Sequence, residues 1–378
     1  MLQFILYMQI GFDAKRIFHN RSGLGNYSRD LVRMLAQYYP QHQYILYNPK
    51  PAKVNFPLAP PGSMVLPQFA LHKMFSGLWR RKWIVQQLKQ DGIHLYHGLS
   101  NELPTGLASA GIPSIVSIHD LIFFKYPQWY RPADRIIHQL KVKQAARDAS
   151  HIVAISHQTK KDILTYLPVS DDKVSVIYQG CHEAFKQKYS TEQKETVQKT
   201  FNLPAQFILS VGTIEPRKNL LTTVKSLLHH PLPLVVVGKK TAYYKAIENF
   251  IAQHQLQQRV FFLSDVTMEQ LAIVYQLAFA FCYPSIYEGF GIPIIEALFS
   301  GTPVISNIEG CFAEAGGPQS FYISCFDALA MANVIDKLLQ DASLYQTTVT
   351  AGMEYARRFM DQPIAGQWAQ LYERIAKK

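Results

Sequence analysis

No two cysteines stand at CxxC spacing, no DxD occurs, and no histidines fall at HxxxH spacing in these 378 residues. The first absence argues against a zinc ribbon or a dithiol redox centre. Cys181, Cys282, Cys311 and Cys325 therefore read as buried free thiols of a reducing compartment. The other two absences argue against a bound divalent metal, and none is expected. No apolar run reaches the length of a membrane span; the nearest, "LAIVYQLAFAFCYP", is short and holds Gln276. The opening "MLQFILYMQIGF" lacks both a basic leading segment and a small-residue cleavage site. It reads as a first buried strand, with Met1 or Met8 as the start.

Apolar residues make up 48% of the chain and charged ones only 17%, a composition that buries well and excludes disorder. The length suits two hydrophobic cores better than one. Charge is unevenly placed: residues 1–190 carry 23 Lys and Arg against 11 Asp and Glu, and residues 191–378 carry 15 against 16. That asymmetry points to an acidic partner for the first half, or to a solvated basic surface.

Short apolar runs alternate with amphipathic ones. "FILYMQIGF", "QYILYN", "IHLYHG", "PSIVSIHD", "HIVAIS" and "VSVIYQG" read as strands of a parallel sheet. The pattern restarts at "QFILSVGT" and continues through "LPLVVVG", "VFFLSD", "AFCYPS" and "TPVIS". The expected fold class is α/β: two doubly wound, Rossmann-like domains, residues 1–190 and 191–360, facing a central cleft. Ligands of such sheets sit beyond the carboxyl ends of the strands, so the residues after each strand carry the search.

Four such places carry chemistry. In "YEGFGIPIIEALFSG", Glu288 falls in a loop and Glu296 in the first or second turn of a helix that Pro293 suits at its start. Glycines 289 and 291 let the backbone approach a ligand, and the helix start offers N–H groups to an anion. The flanking carboxylates would then accept from sugar hydroxyls; simple dipole stabilisation explains Glu296 but not Glu288. In "SVGTIEPRKN", a strand ends at Gly212, and Arg217 and Lys218 follow as a pair suited to a diphosphate. A solvated pair is the plainer alternative. In "NRSGLGNYSRDL", Gly23 and Gly25 fit a flexible loop or a phosphate contact equally. In "SIVSIHDLIFF", His119 and Asp120 follow a buried strand, as a satisfied structural residue or as one turned to a ligand.

These pieces in this order resemble the retaining glycosyltransferases of family four, which have the GT-B fold. "YEGFGIPIIEAL" is similar to that family's E-x7-E signature. "VGTIEPRKN", "HDLIFF", "HIVAISHQTKKDI" and "GTPVISNIEGCFAEAGG" match its bacterial mannosyltransferase-like subgroup. The resemblance implies that Glu288 meets the donor sugar and Glu296 the ribose. Arg217 and Lys218 would neutralise the diphosphate with backbone N–H groups of Phe290, Gly291 and Ile292. It further implies that His119 faces the sugar, that Gly23 and Gly25 shape a cleft loop, and that the backbone near Val266 meets the base. Many members carry Arg directly after the strand-end glycine, where this chain has Thr213. The last helix, 361–378, should return to the first domain.

The implied reaction is retaining, metal-independent hexosyl transfer from a nucleotide-diphosphate sugar, GDP-mannose by the subgroup, in surface polysaccharide or lipopolysaccharide synthesis. No cofactor is implied; the nucleotide sugar is a substrate. Expected partners are a glycan or lipid-linked acceptor and an anionic membrane surface, with no nucleic acid. The expected location is cytoplasmic, peripheral on the inner face of the membrane. The membrane seat would be "LHKMFSGLWRRKWIVQQLKQ", which interleaves Lys73, Arg80, Arg81 and Lys82 with Trp79 and Trp83. An ordinary amphipathic helix explains that stretch equally. Competing readings are a sugar-nucleotide epimerase of the same fold, a nucleic-acid-binding protein using the basic half, a glycoside hydrolase, and a sugar-nucleotide sensor without turnover.

Overall fold

Two compact units make up the computed structural model: Met1–Gly180 with Phe359–Lys378, and Cys181–Arg358. It describes residues 7–21, 23–57 and 62–377. The choice between Met1 and Met8 as start turns on residues outside that set.

In the first unit the strands are β1 (Gln9–Asp13), β2 (Gln43–Tyr47), β3 (Gly62–Val65), β4 (Leu95–Gly98), β5 (Ser114–Ile118), β6 (His151–Ala154) and β7 (Val174–Val176). They pair in parallel in the order β3-β2-β1-β4-β5-β6-β7. The second unit has β8 (Ile208–Val211), β9 (Leu234–Val237), β10 (Val260–Leu263), β11 (Ala280–Tyr283), β12 (Val304–Asn307) and β13 (Phe321–Ile323). Their order is β10-β9-β8-β11-β12-β13, again parallel. The inner strands β4, β5, β6, β11 and β12 are buried at every position, which is why they appear in the sequence as unbroken apolar runs.

Two strands escaped the sequence reading. Both β3, "GSMV", and β13, "FYI", lie at sheet edges and are short and half-exposed, so neither leaves an apolar run to find. The division between units also falls at Gly180 and Cys181 rather than at 190 and 191. Residues 181–190 belong with the second unit because Phe185 is buried there, its ring 5.6 Å from that of Tyr275. The polar stretch between the two strand series forms the helix Thr191–Thr200, capped by Ser190 and Gln193 in a reciprocal pair.

The C-terminal helix Asp361–Ala376 packs on the helix Gly23–Tyr38 of the first unit, as expected. Arg33 holds Asp361 at 2.9 Å. Deeper, the Tyr372 hydroxyl lies 2.8 Å from His97 Nδ1 on β4, and His97 Nε2 lies 2.9 Å from Ser117 Oγ on β5. Burial pulls the His97 imidazole down to about 3, so the ring is neutral within this network.

The segment 70–90 departs from its expected orientation. Trp79 is buried, and Arg80 turns inward to Asp13 at the end of β1 and to Glu102 at 2.5 Å. Burial would raise the Glu102 carboxyl, but Arg80 and Lys141 outweigh it and hold it near 2. Neither Trp79 nor Arg80 can therefore face a membrane. An arginine placed among carboxylates beyond a strand end gains more from them than from solvent.

Candidate active site

Strand order in the second sheet reverses between β8 and β11, so the loops leaving those two strands diverge and open a crevice. The β8 loop begins at Gly212, whose φ of 142° lies in the region that favours glycine. A side chain on Gly238, just after β9, would place its Cβ 1.8 Å from the Gly212 carbonyl oxygen. Two glycines thus let neighbouring strand ends cross in contact. Pro216–Lys218 then form one tight turn, and Asn219 closes it in a left-handed conformation at φ 52°. The Asn219 amide donates to the Cys325 carbonyl, which fixes the turn and aims Arg217 and Lys218 back over the crevice.

The β11 loop meets them. Ile286 N–H donates to the Arg217 carbonyl at 2.8 Å, and Arg217 Nη1 donates to the Tyr287 carbonyl at 2.8 Å. Within this frame Glu288 accepts from both cations: Arg217 Nη1 at 2.7 Å and Lys218 Nζ at 2.5 Å. Arg217 Nη2 also holds Glu215 at 2.6 Å. Burial alone would raise the Glu288 carboxyl, but Lys218 and Arg217 hold it down to about 2, so it is a carboxylate at any working pH. The four charges sum to zero.

Sequence reasoning missed the fifth member. The Tyr283 hydroxyl accepts from Lys218 Nζ at 2.6 Å and donates to Glu288 Oε1 at 3.1 Å. Burial, then the Glu288 charge, pushes this phenol well above its ordinary value, so it remains a neutral partner of both. A polar-tipped residue ending the strand at the sheet's reversal was its only signal. The buried Cys311 thiol, also unassigned beforehand, donates to the Phe290 and Glu288 carbonyls and pins the loop from beneath.

Gly291, at φ 128°, caps the helix Ile292–Phe299 with Pro293 in its first turn, as the sequence predicted. The Ile292 N–H has no acceptor inside the helix, Pro293 carries no N–H, and the Ile294 N–H is bound to the Gly291 carbonyl at 2.9 Å. Phe290 is buried beside them. Glu296 falls in the second turn, buried, and accepts from the Tyr275 hydroxyl at 3.1 Å. Val266 lies half-buried in the loop after β10, just before the Thr267 cap of the helix Met268–Leu277.

In the first unit one expectation needs correction. Gly23 and Gly25 are not in a loop; they open the sixteen-residue helix Gly23–Tyr38. A Cβ on Gly25 would stand 2.0 Å from the Asn20 carbonyl oxygen, so close packing of that helix on the chain before it requires the glycine. Gly23 has open space around it. His119 is buried, with Nε2 donating to the Leu99 carbonyl at 2.8 Å and Nδ1 accepting from Gln179 at 3.0 Å. Both ring nitrogens are thus bound within the unit. Burial pulls it down to about 4, leaving it neutral. Nearby, Arg16, Asn101, Glu102, Asp120, Tyr130 and Lys141 line a polar recess of about 140 Å³.

Among the described residues, no three of His, Cys, Asp and Glu come together as metal ligands. All four cysteines are free and buried.

The chain is similar to several known glycosyltransferases. The O-antigen chain mannosyltransferase RfbU of Salmonella typhimurium is 29% identical over 228 residues, 60% of each chain. The O-antigen chain mannosyltransferase B of Escherichia coli is 26% identical over 302 residues, covering 78% of this chain and 77% of that one. The match thus spans about three fifths of the Salmonella relative's length, and 34% of the Escherichia coli mannosyltransferase WbdA. In fold, the chain is similar to Anabaena HepE, solved in complex with UDP, at a TM-score of 0.73 and 17% identity. That likeness covers 98% of this chain and 100% of HepE. Residues 21–185 match the model described as Glycosyltransferase Family 4, and residues 191–355 the model described as Glycosyl transferases group 1. Two GT-B-type parallel-sheet units carry these matches in that order, and the chain belongs to the family-four glycosyltransferases.

Proposed function

We propose that this chain transfers a mannosyl group, with retention of configuration and without a metal, from GDP-mannose to a hydroxyl of a glycan or lipid-linked acceptor in O-antigen-type polysaccharide synthesis. One observation supports the donor side above all: Arg217, Lys218 and Glu288 converge at the reversal point of the second sheet, beside the start of the helix Ile292–Phe299. Relatives named as O-antigen mannosyltransferases support the sugar and the pathway class.

The leaving group is a nucleoside diphosphate, so negative charge grows on its β-phosphate as the sugar becomes oxocarbenium-like. Stabilising that charge is worth more than any other single contribution in a dry site. Lys218 and Arg217 exchange part of their hold on Glu288 for phosphate oxygens, and the helix N–H groups add their partial positive charge. Glu288, released by the same exchange, accepts from a sugar hydroxyl. Glu296 accepts from the ribose. The departing phosphate oxygen takes the acceptor's proton on the leaving-group face, so no protein nucleophile is required. The polar recess around Asn101, Asp120 and Lys141 receives the acceptor.

The test is a thermal-shift panel of GDP-, UDP-, dTDP- and ADP-sugars, followed by transfer assays with the compound that stabilises most. GDP-mannose should give the largest shift, and the anomeric proton of the product should show the donor's configuration. An equal response to all four overturns the donor assignment.

A further inference from the structure

Glycine stands where the first unit's backbone needs room. Gly98 ends β4, and a Cβ there would lie 2.2 Å from the Glu102 carbonyl oxygen, so the chain doubles back at once. Three residues on, Asn101 holds a φ of 59°, a conformation that glycine adopts more cheaply. Asn202 and Gln255 share that region just past helix ends, and Asn219 closes the Pro216–Lys218 turn. Asn101 ends no helix. A loop residue held in this way points to a task for its side chain.

That side chain spans the end of β5. Its Oδ1 accepts from the His119 N–H at 2.9 Å, and its Nδ2 donates to the Asp120 carbonyl at 3.3 Å. The Asn101 N–H donates to the Ser117 carbonyl at 2.9 Å, and His119 Nε2 donates to the Leu99 carbonyl. Residues 99–101 thus grip residues 117–120 through four hydrogen bonds, two of them from one side-chain amide. Only a group that accepts and donates can clamp an N–H and a C=O together; glycine and a carboxylate cannot.

Strand order in the first sheet reverses between β1 and β4, so the loops after those strands diverge. The polar recess of about 140 Å³ is lined from both: Arg16 follows β1, and Ser100 and Asn101 follow β4. Asp120, beyond the end of the neighbouring β5, lines it too. Asp120 Oδ1 accepts from the Ile122 N–H at 3.2 Å, so its own turn fixes its side chain while Asn101 fixes its main chain.

We propose that Asn101 is a positioning residue for glycosyl transfer. It acts through Asp120, holding that carboxylate at the recess wall, where it accepts from a hydroxyl of the acceptor sugar. This rests on the reading of the recess as the acceptor site. A misplacement of about 1 Å at such a contact slows transfer about 100-fold.

Two substitutions and their combination test this. Asn101→Gly keeps the backbone conformation and removes the clamp; Asp120→Asn removes the carboxylate and keeps the clamp. With GDP-mannose as donor and octyl α-mannopyranoside as acceptor probe, each should lower kcat/KM for the acceptor by about 100-fold. The double variant should be no slower than Asp120→Asn alone, because Asn101 then has nothing left to position. Calorimetric GDP affinity should stay within about twofold of the wild type in all three. Losses that multiply in the double variant, or wild-type transfer by Asn101→Gly, overturn the proposal and leave the transfer reading intact. A wild type that moves no mannose to the probe strikes the transfer reading instead. Amide exchange then decides the clamp: the His119 N–H should exchange about tenfold faster in Asn101→Gly, and unchanged exchange overturns it.

Discussion

Arg217 spends one nitrogen on the Tyr287 carbonyl and the Glu288 carboxylate together, 2.8 and 2.7 Å away, so the loop after β8 and the loop after β11 are held as one piece. Glu288 is then a competitor of any diphosphate for the two cations. Glu288→Gln should leave GDP affinity unchanged or raise it, while turnover falls by about 100-fold. Calorimetric titration beside steady-state kinetics decides this. Weaker GDP binding in that variant would show that the carboxylate organises the phosphate site rather than opposing it.

Glu296 calls for two substitutions, because it also satisfies the buried Tyr275 hydroxyl. Glu296→Ala leaves that donor unpaired and should cost about 1–3 kcal/mol of stability along with nucleotide affinity. Glu296→Gln keeps an acceptor for Tyr275. It should retain most of the melting temperature yet still weaken nucleotide binding. If the Gln variant binds GDP as the wild type does, the ribose contact is misassigned.

Tyr283 bonds both Lys218 and Glu288 as a neutral hydroxyl, beside their direct contact. Tyr283→Phe keeps the ring and removes the hydroxyl, leaving the direct 2.5 Å contact of Lys218 and Glu288 without its third partner. Turnover should drop about tenfold with little change in KM for the donor, the size of one lost hydrogen bond to a charged group. A rise in KM with turnover intact would place the hydroxyl on the substrate instead.

Acid should weaken the fold in two separate stages. Burial pulls His119 and His230 down to about 4 and His97 to about 3, against about 6.5 in an unfolded chain. Between those values the unfolded state binds more protons, so stability falls as pH drops from 6.5 towards 4. The loss should be on the order of 2 kcal/mol per histidine by pH 4.5. Glu288 and Glu102, both held near 2, contribute stability that is present above about 4.5 and lost only as pH falls towards 2. Denaturant titrations at pH 7, 5.5 and 4.5 check the first stage; flat stability across them would mean these rings are solvated.

Two nearby glycines should respond in opposite ways. Gly25→Ala drives a methyl group into the Asn20 carbonyl and should cost a few kcal/mol, on the order of overpacking. Gly23→Ala meets open space at the same helix start and should change stability by less than about 1 kcal/mol. Thermal melts of the pair suffice, and equal losses would refute the close approach at Gly25.

Much of this molecule was legible before any coordinates. Inner parallel strands are covered on both faces, so they must be written as apolar runs. Their order of appearance disclosed two α/β units and the residues after each strand. Glu288, Arg217, Lys218 and Glu296 could be picked out because turn chemistry and helix starts are local: Pro216, Gly291 and Pro293 announce their geometry within a few residues. The edge strands β3 and β13 left no such trace.

Only the tertiary structure decided which charges meet and which face outward. That Glu288 is shared by both cations, that Tyr283 lies between them, and that His119 is bound by Leu99 and Gln179 depend on contacts between distant segments. Periodicity marks a helix's two faces but cannot say which one is covered. Asp13 and Glu102 drew Arg80 inward, Trp79 is buried in the same run, and Leu71, Phe75 and Leu78 were left to solvent. The pairing energy of distant charges and the packing of distant side chains settled that choice, and neither is written in any one stretch of chain.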